Sequence, residues 1–202
     1  ANHSALSTSR SATTQSSAAY TFNPVADAYV AGAVAATNYG ISSILKADAS
    51  PDYHSYIRFN VGDLSGTVTS ATLRLYTSSC SATGYQVRHA NTQNWEEGSI
   101  TFNNAPAVGA LIGSSGNFAS GNWTSVDVSA LITGSGVYDL TITTTSSSTM
   151  NFNSRDASVN RPELVIQTSA GVSTPTATPT LPPMLTATRT PTATSVITAT
   201  FT

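Results

Sequence analysis

Charge is scarce in this sequence. Eight basic and ten acidic residues make up 9% of 202 residues and leave a net charge of −2, whereas an average soluble domain is about one quarter charged. Without a basic excess to neutralise phosphates, a nucleic-acid partner is excluded as an expectation. Cysteine is nearly absent. Cys80 stands alone, so no intramolecular disulfide framework exists, and its neighbours Ser78, Ser79 and Ser81 carry no charge to activate its thiol. Histidine is limited to His3, His54 and His89, none in a motif that would activate a serine, and no Gly-x-Ser-x-Gly elbow occurs. No catalytic residue is therefore assigned, and an enzyme is not expected. No apolar run reaches the roughly 18–20 residues that a membrane-spanning helix requires.

Hydroxyl side chains take the place of charge, with 30 Ser and 32 Thr. That composition suits a secreted protein at the cell surface or outside the cell. The chain starts at Ala1 with no initiator Met or hydrophobic leader, as a mature secreted protein does after processing. Two Asn-x-Ser/Thr sequons, at Asn2 and Asn122, would matter only in a host that N-glycosylates.

Composition divides the chain into three parts: a Ser/Thr-rich extension over residues 1–19, a globular domain over 20–168, and a Thr/Pro-rich tail over 169–202. The middle part is a series of short β-branched, aromatic or alternating runs separated by Gly, Asn, Asp and Ser. Strands are expected at Ala28–Val30, Ser43–Ala47, Tyr53–Val61, Val68–Tyr76, Gln86–Ala90, Ser125–Val128, Tyr138–Thr144, Met150–Asn153 and Glu163–Thr168. Ile57, Phe59 and Val61 alternate with polar partners, as do Leu73 and Leu75, so one face of each strand meets a core. Only Val128–Thr133 suggests helix, as a single turn capped by Asp127. The expected fold is all-β: a two-sheet antiparallel, jelly-roll-like sandwich with extended terminal segments. A domain of this size buries a sizeable core without disulfides.

Several phrases fall in a distinctive order: Pro24-Val25-Ala26-Asp27-Ala28-Tyr29-Val30, Asn38-Tyr39-Gly40, Tyr56-Ile57-Arg58-Phe59 and Ala71-Thr72-Leu73-Arg74-Leu75-Tyr76. They continue through Trp95-Glu96-Glu97-Gly98 to Asn104-Ala105-Pro106, Trp123 to Val128, Ser154-Arg155-Asp156 and Arg161-Pro162-Glu163-Leu164-Val165-Ile166. In this order and spacing the chain resembles the DNRLRE, or disaggregatase-related, family of carbohydrate-binding-module-like domains over roughly residues 20–167. The resemblance implies a secreted, non-catalytic β-sandwich, often attached to polysaccharide-degrading enzymes or cell-surface proteins. Asp156 stands where that family has a longer Glu.

Candidate sites are few. Glu96 and Glu97 adjoin Trp95, but neighbours on a strand point to opposite faces, and glycosidase carboxyls must face each other across a cleft. The expectation is that Trp95 anchors a loop on the core and that one Glu pairs with an Arg. Asp27, Asp48, Asp52, Asp63, Asp127 and Asp156 could supply oxygens to a structural calcium; Asp27 and Asp156 are the first choices, with structural hydrogen bonding as the competing role. Tyr39, Tyr53, Tyr85 and Trp123 flank loops and are the candidate sugar-stacking rings, the competing role being to cover core edges.

In the tail, Thr occupies twelve of the fifteen even positions from Thr174 to Thr202. Most of this segment reads as a stiff, polyproline-like, O-glycosylated linker, with Thr186, Thr188, Thr190 and Thr192 as candidate sites. The last nine residues lack Pro and read as a strand, with Val196, Ile197, Ala199 and Phe201 as contact residues. Such a strand could be donated to a second copy of the chain, and repeated head to tail it builds a fibre. The leading expectation is thus a self-associating, homopolymeric structural subunit, and the alternative is a polysaccharide-binding module on a glycosylated linker.

Overall fold

The computed structural model describes residues 17–78, 83–91 and 94–170. These form eleven strands in two antiparallel sheets. The strands are β1 (Ala18–Phe22), β2 (Ala26–Ala31), β3 (Ile44–Ala49), β4 (Asp52–Val61), β5 (Val68–Tyr76), β6 (Gln86–Ala90), β7 (Val108–Ser114), β8 (Trp123–Asp127), β9 (Gly136–Thr143), β10 (Met150–Asn153) and β11 (Glu163–Thr168). One sheet runs β1-β11-β5-β8. The other runs β10-β3-β4-β9-β6-β7, with β2 paired to β4. The expected two-sheet sandwich is what the chain forms.

The alternation read from the sequence sets the inner faces. Ile57, Phe59 and Val61 of β4, Leu73 and Leu75 of β5, Leu140 and Ile142 of β9 and Leu164 and Ile166 of β11 form one buried cluster between the sheets. Two strands escape sequence reading. β1 pairs with β11 and contributes Phe22 to the edge of that cluster, so the sandwich begins two residues before the expected boundary at Tyr20. β7 carries Gly109 and Gly113, which read as loop punctuation. A Cβ at Gly113 would stand 2.8 Å from both the Asp127 carbonyl and Val126 Cγ1, so the missing side chain lets β7 pass against β8. The turn after β8 agrees with expectation: Ile132 N–H donates to Val128 O, and Asp127 Oδ1 accepts from Ser129 N at 2.9 Å.

The seven-stranded sheet forks. β3 pairs with β4 only at Asp48↔Tyr53 and Ala49↔Asp52, while β2 takes the same edge from Tyr53 to Arg58. At the fork the Ser55 hydroxyl accepts from Lys46 N at 2.9 Å and donates to Lys46 O at 2.7 Å. One side chain thus replaces the ladder that β3 leaves behind.

Cys80 and the tail residues Thr186, Thr188, Thr190, Thr192, Val196, Ile197, Ala199 and Phe201 lie outside the described residues.

Leu73 is fully buried between the sheets. Leu73→Ala is expected to cost about 2–5 kcal/mol, read as a lower midpoint in urea unfolding.

Candidate functional site

The site rests on a loop held against the outer face of the seven-stranded sheet. Arg58 on β4 stands directly opposite Asp139 on β9, and its Nε donates to Asp139 Oδ1 at 2.8 Å. Trp95 Nε1 donates to the same oxygen at 2.7 Å, Arg58 Nη1 donates to Trp95 O at 3.2 Å, and the guanidinium lies 4.7 Å from the centre of the Trp95 ring. Asp139 is 1% exposed and Trp95 3%. A buried ion pair thereby captures an indole donor and a backbone carbonyl together, which is what lets two charges tolerate burial. Around it Ala28, Val30, Tyr56, Ala90, Trp95 and Ile100 form a second apolar cluster, and Tyr56 Oη donates to Pro106 O at 2.7 Å. Trp95 therefore anchors the loop, as expected.

The Asn38-Tyr39-Gly40 phrase holds the other side of this loop. Asn38 Nδ2 donates to Glu97 O at 2.8 Å and to Ile100 O at 2.7 Å. A Cβ at Gly40 would stand 2.0 Å from Glu97 O, so only glycine lets the two backbones approach this closely. Glu97 is placed next to β2 by these contacts.

Three carboxyls meet there. Asp27, Glu97 and Asp156 each place an oxygen within 4.8 Å of the others. Glu97 Oε1 accepts from Asp27 N at 2.9 Å, Glu97 Oε2 from Arg155 Nη1 at 2.5 Å, and Asp27 Oδ2 from Arg155 N at 2.7 Å. The Arg155 turn is fixed because Ser154 Oγ donates to Ser42 O at 2.6 Å and accepts from Asp156 N at 3.0 Å. Asp27 is 1% exposed, and burial pushes its carboxyl up to about 7; the Arg155 N–H opposes this, and the charges of Glu97 and Asp156 add to it. The Glu97 hydrogen bond holds the Arg155 guanidinium above its usual range.

Asp27 and Asp156, chosen from sequence, are thus brought together. Glu97 is the expected Glu–Arg partner, yet it was not placed among the metal-ligand candidates; its signal was the Trp95 anchor two residues earlier. The other acids go elsewhere: Asp48 accepts from Thr149 Oγ1, Asp52 pairs with His54 at 2.8 Å, and Asp127 holds its own turn.

The four candidate rings separate. Tyr39 stacks on Tyr29, with centroids 4.2 Å apart, and Tyr53 meets Tyr29 edge-on at 6.0 Å. Lys46, the only lysine in the chain, holds its ammonium 5.1 Å from the Tyr29 ring centre and 5.2 Å from that of Tyr53. Tyr39, Tyr53 and Lys46 are all partly exposed. Trp123 lies on the opposite sheet, its ring 4.6 Å from the Arg74 guanidinium, which Glu163 fixes at 2.6 Å. Tyr85 is corrected: at 1% exposure it is a core residue, its hydroxyl 2.8 Å from Thr124 Oγ1 and its ring edge-on to Phe152 and Phe118. No sugar reaches it. Tyr85 stands two residues before Val87, whose side chain is in the core, and so shares the inward face that β6 continues.

A small open cleft of about 190 Å³ lies beside the loop, lined by Val30, His54, Tyr56, Phe102 and Ala105–Val108. Burial lowers the His54 pKa, against the opposing pull of Asp52.

With the fold and these surfaces in view, the chain is a carbohydrate-binding-module-like β-sandwich. It belongs to carbohydrate-binding module family 96, whose model matches residues 18–168. Among solved structures, CsCBM6-3 from Clostridium stercorarium, determined in complex with cellobiose, is similar over 72% of this chain and 93% of its own, with 16% identity and a TM-score of 0.23. No curated protein matches the chain.

Asp139→Ala strands the Arg58 charge and is expected to cost about 3–5 kcal/mol, whereas Trp95→Phe, which removes the indole donor and leaves a smaller aromatic ring, costs about 1–3 kcal/mol; urea unfolding distinguishes them. His54 has a lowered folded pKa, so below pH 6.5 the unfolded chain takes up the proton first. Its contribution to stability is complete above pH 6.5 and declines as pH falls toward the folded pKa. Relative to the parent, His54→Gln is expected to gain in unfolding midpoint as pH falls from 7 to 5, because it lacks this loss; the difference between the two proteins at each pH isolates His54 from the raised Asp27 carboxyl, which acts in the opposite direction in both.

Proposed function

We propose that this chain is a non-catalytic polysaccharide-binding module that works outside the cell, with Tyr39 and Tyr53 as its sugar platform and Lys46 beside them. The observation that carries the reading is the family-96 match across the whole sandwich. The resemblance of its sequence phrases to the disaggregatase-related domains supports the same conclusion. Pyranose faces are apolar and stack on aromatic rings, while their hydroxyls need donors and acceptors at the ring edges. Two partly exposed tyrosines packed on a third, Tyr29, with the Lys46 ammonium over Tyr29 and Tyr53, supply both. Trp123 is a poorer platform because Arg74, held by Glu163, occupies its face. The head-to-tail fibre depends on residues 194–202, which lie outside the described residues, and the family match favours binding over assembly.

Affinity electrophoresis against a panel of neutral and acidic polysaccharides tests this. At least one should retard the protein. Tyr39→Ala and Tyr53→Ala are each expected to weaken that interaction about fivefold, equivalent to about 1 kcal/mol per ring, while Trp123→Ala leaves it unchanged. Lack of retardation on every polysaccharide overturns the reading. Loss in Trp123→Ala alone overturns the assignment to Tyr39 and Tyr53.

A further inference from the structure

Five strands lie at the margins of the two sheets, and four of them meet a further segment. β7 and β8 close on each other, the Cβ position of Gly113 lying 2.8 Å from Asp127 O. β10 meets Thr77 and Ser78, and Ser78 N donates to Asn151 O at 2.9 Å. β2 meets Tyr39 in a bridge at Tyr29, and its Asp27 N donates to Glu97. β1 differs: among the described residues β11 is its one partner strand. An outer row of N–H and C=O groups along Ala18-Ala19-Tyr20-Thr21-Phe22 is left open. Edge strands are ordinarily blunted by charge, proline or a bulge, and this strand has none of the three. Tyr20 and Phe22 share a face, their ring centroids 6.4 Å apart, and Phe22 packs on the core with part of its surface still exposed.

We propose that β1 accepts residues 194–202 of a second copy of the chain as an added strand, so that the module self-associates head to tail. Thr194-Ser195-Val196-Ile197-Thr198-Ala199-Thr200-Phe201-Thr202 holds neither charge nor proline. Ile197, Ala199 and Phe201 recur with a period of two, the period at which β1 sets Ala18, Tyr20 and Phe22 on its partly buried side. Laid on the open edge, this stripe extends the apolar face, and the threonines extend the exposed face of Ala19 and Thr21. Main-chain bonds hold such a strand, and the apolar stripe sets its register. The length of the intervening chain favours a neighbouring copy as acceptor. β11 ends opposite the start of β1, at Thr168↔Ala18, so a strand returning to its own β1 needs a span of at most ~17 Å. Residues 171–193 number 23 and include five prolines; at ~3.1 Å per residue in extended polyproline form they reach about 70 Å. A stiff spacer much longer than the gap lowers the effective concentration at its own site. A heterologous contact of this kind leaves the next edge open and repeats. Assembly goes beyond the sugar-binding reading and does not compete with it, because Tyr53 lies on the other sheet from β1.

The test uses the full chain. Sedimentation at micromolar to millimolar concentrations should show a ladder of species above the monomer. Ile197→Asp combined with Phe201→Asp changes no residue of the sandwich, and should collapse the ladder to monomer while circular dichroism shows the protein still folded. The acceptor edge is located by mixing two proteins that both carry Cys80→Ser, one with Thr21→Cys on β1 and the other with Thr198→Cys. Mild oxidation should link the two into a disulfide dimer. Ser125→Cys, exposed on β8 at the opposite margin of the same sheet, should replace Thr21→Cys with loss of that dimer. A full chain that stays monomeric at millimolar concentration overturns the proposal, as does a ladder that survives Ile197→Asp with Phe201→Asp. Cross-linking through Ser125→Cys as strong as through Thr21→Cys overturns the assignment to β1. No readout involves a polysaccharide, so failure here is separate from failure of the sugar-binding reading.

Discussion

The buried pairing of Arg58 with Asp139 is the constraint on which the outer layer of this sandwich depends. Two charges opposite each other on β4 and β9 could be satisfied by one another alone. Here they also take in the Trp95 indole and the Trp95 carbonyl. The ion pair is therefore a clasp for a loop, and every group that lowers its burial cost also holds that loop down. Trp95 then contributes apolar area to a cluster that would otherwise leave Ala28, Val30 and Tyr56 facing water. Polar specificity and hydrophobic burial reinforce each other at one residue.

From that clasp the two candidate surfaces follow by short chemical steps. Glu97 sits two residues beyond Trp95, and Asn38 and Gly40 bring the loop backbone against it. That places its carboxyl beside Asp27 of β2 and Arg155 of the turn after β10. The fork of β3 from β4, held by the Ser55 hydroxyl, leaves Lys46 free to lie over Tyr29 and Tyr53. The aromatic patch and the acidic cluster thus share β2, Tyr29 standing two residues from Asp27, yet they use different chemistry. One is a set of stacked and edge-on rings with an ammonium against two of them. The other gathers a buried, a half-buried and an exposed carboxyl around one guanidinium.

Much of the fold was legible because antiparallel strands over one core impose a period of two. Leu73 and Leu75 in β5 and Ile57 and Phe59 in β4 show it plainly, and their strands lie within a residue of expectation. β7 was not legible, since its glycines serve close approaches rather than a turn, Gly113 to β8 and Gly109 to the end of β6. Tyr85 reads as a loop ring because it precedes β6 and follows a glycine, yet it continues the inward face of Val87 and packs edge-on against Phe118 and Phe152. Asp27 and Asp156 could be guessed as partners, because short acids in loops are the common oxygen donors, but Glu97 could not be joined to them. Its role depends on a loop position set by Trp95, about 40 residues of sequence from its anchor at Asp139.

The sequence by itself determined the sandwich and its inner faces, because alternation is local and each strand carries its own record of which side is apolar. It also determined that charge would be rare, with one lysine and a single free cysteine. Tertiary structure alone decided where those few charges meet. A carboxylate in a chain with so little charge has no local signature of its partner; Asp27 meets Glu97 across 70 residues and Arg155 across 128. Burial and electrostatic pairing are properties of the packed molecule, and they turned three scattered acids into one cluster and four candidate rings into one patch, one covered tryptophan and one core residue.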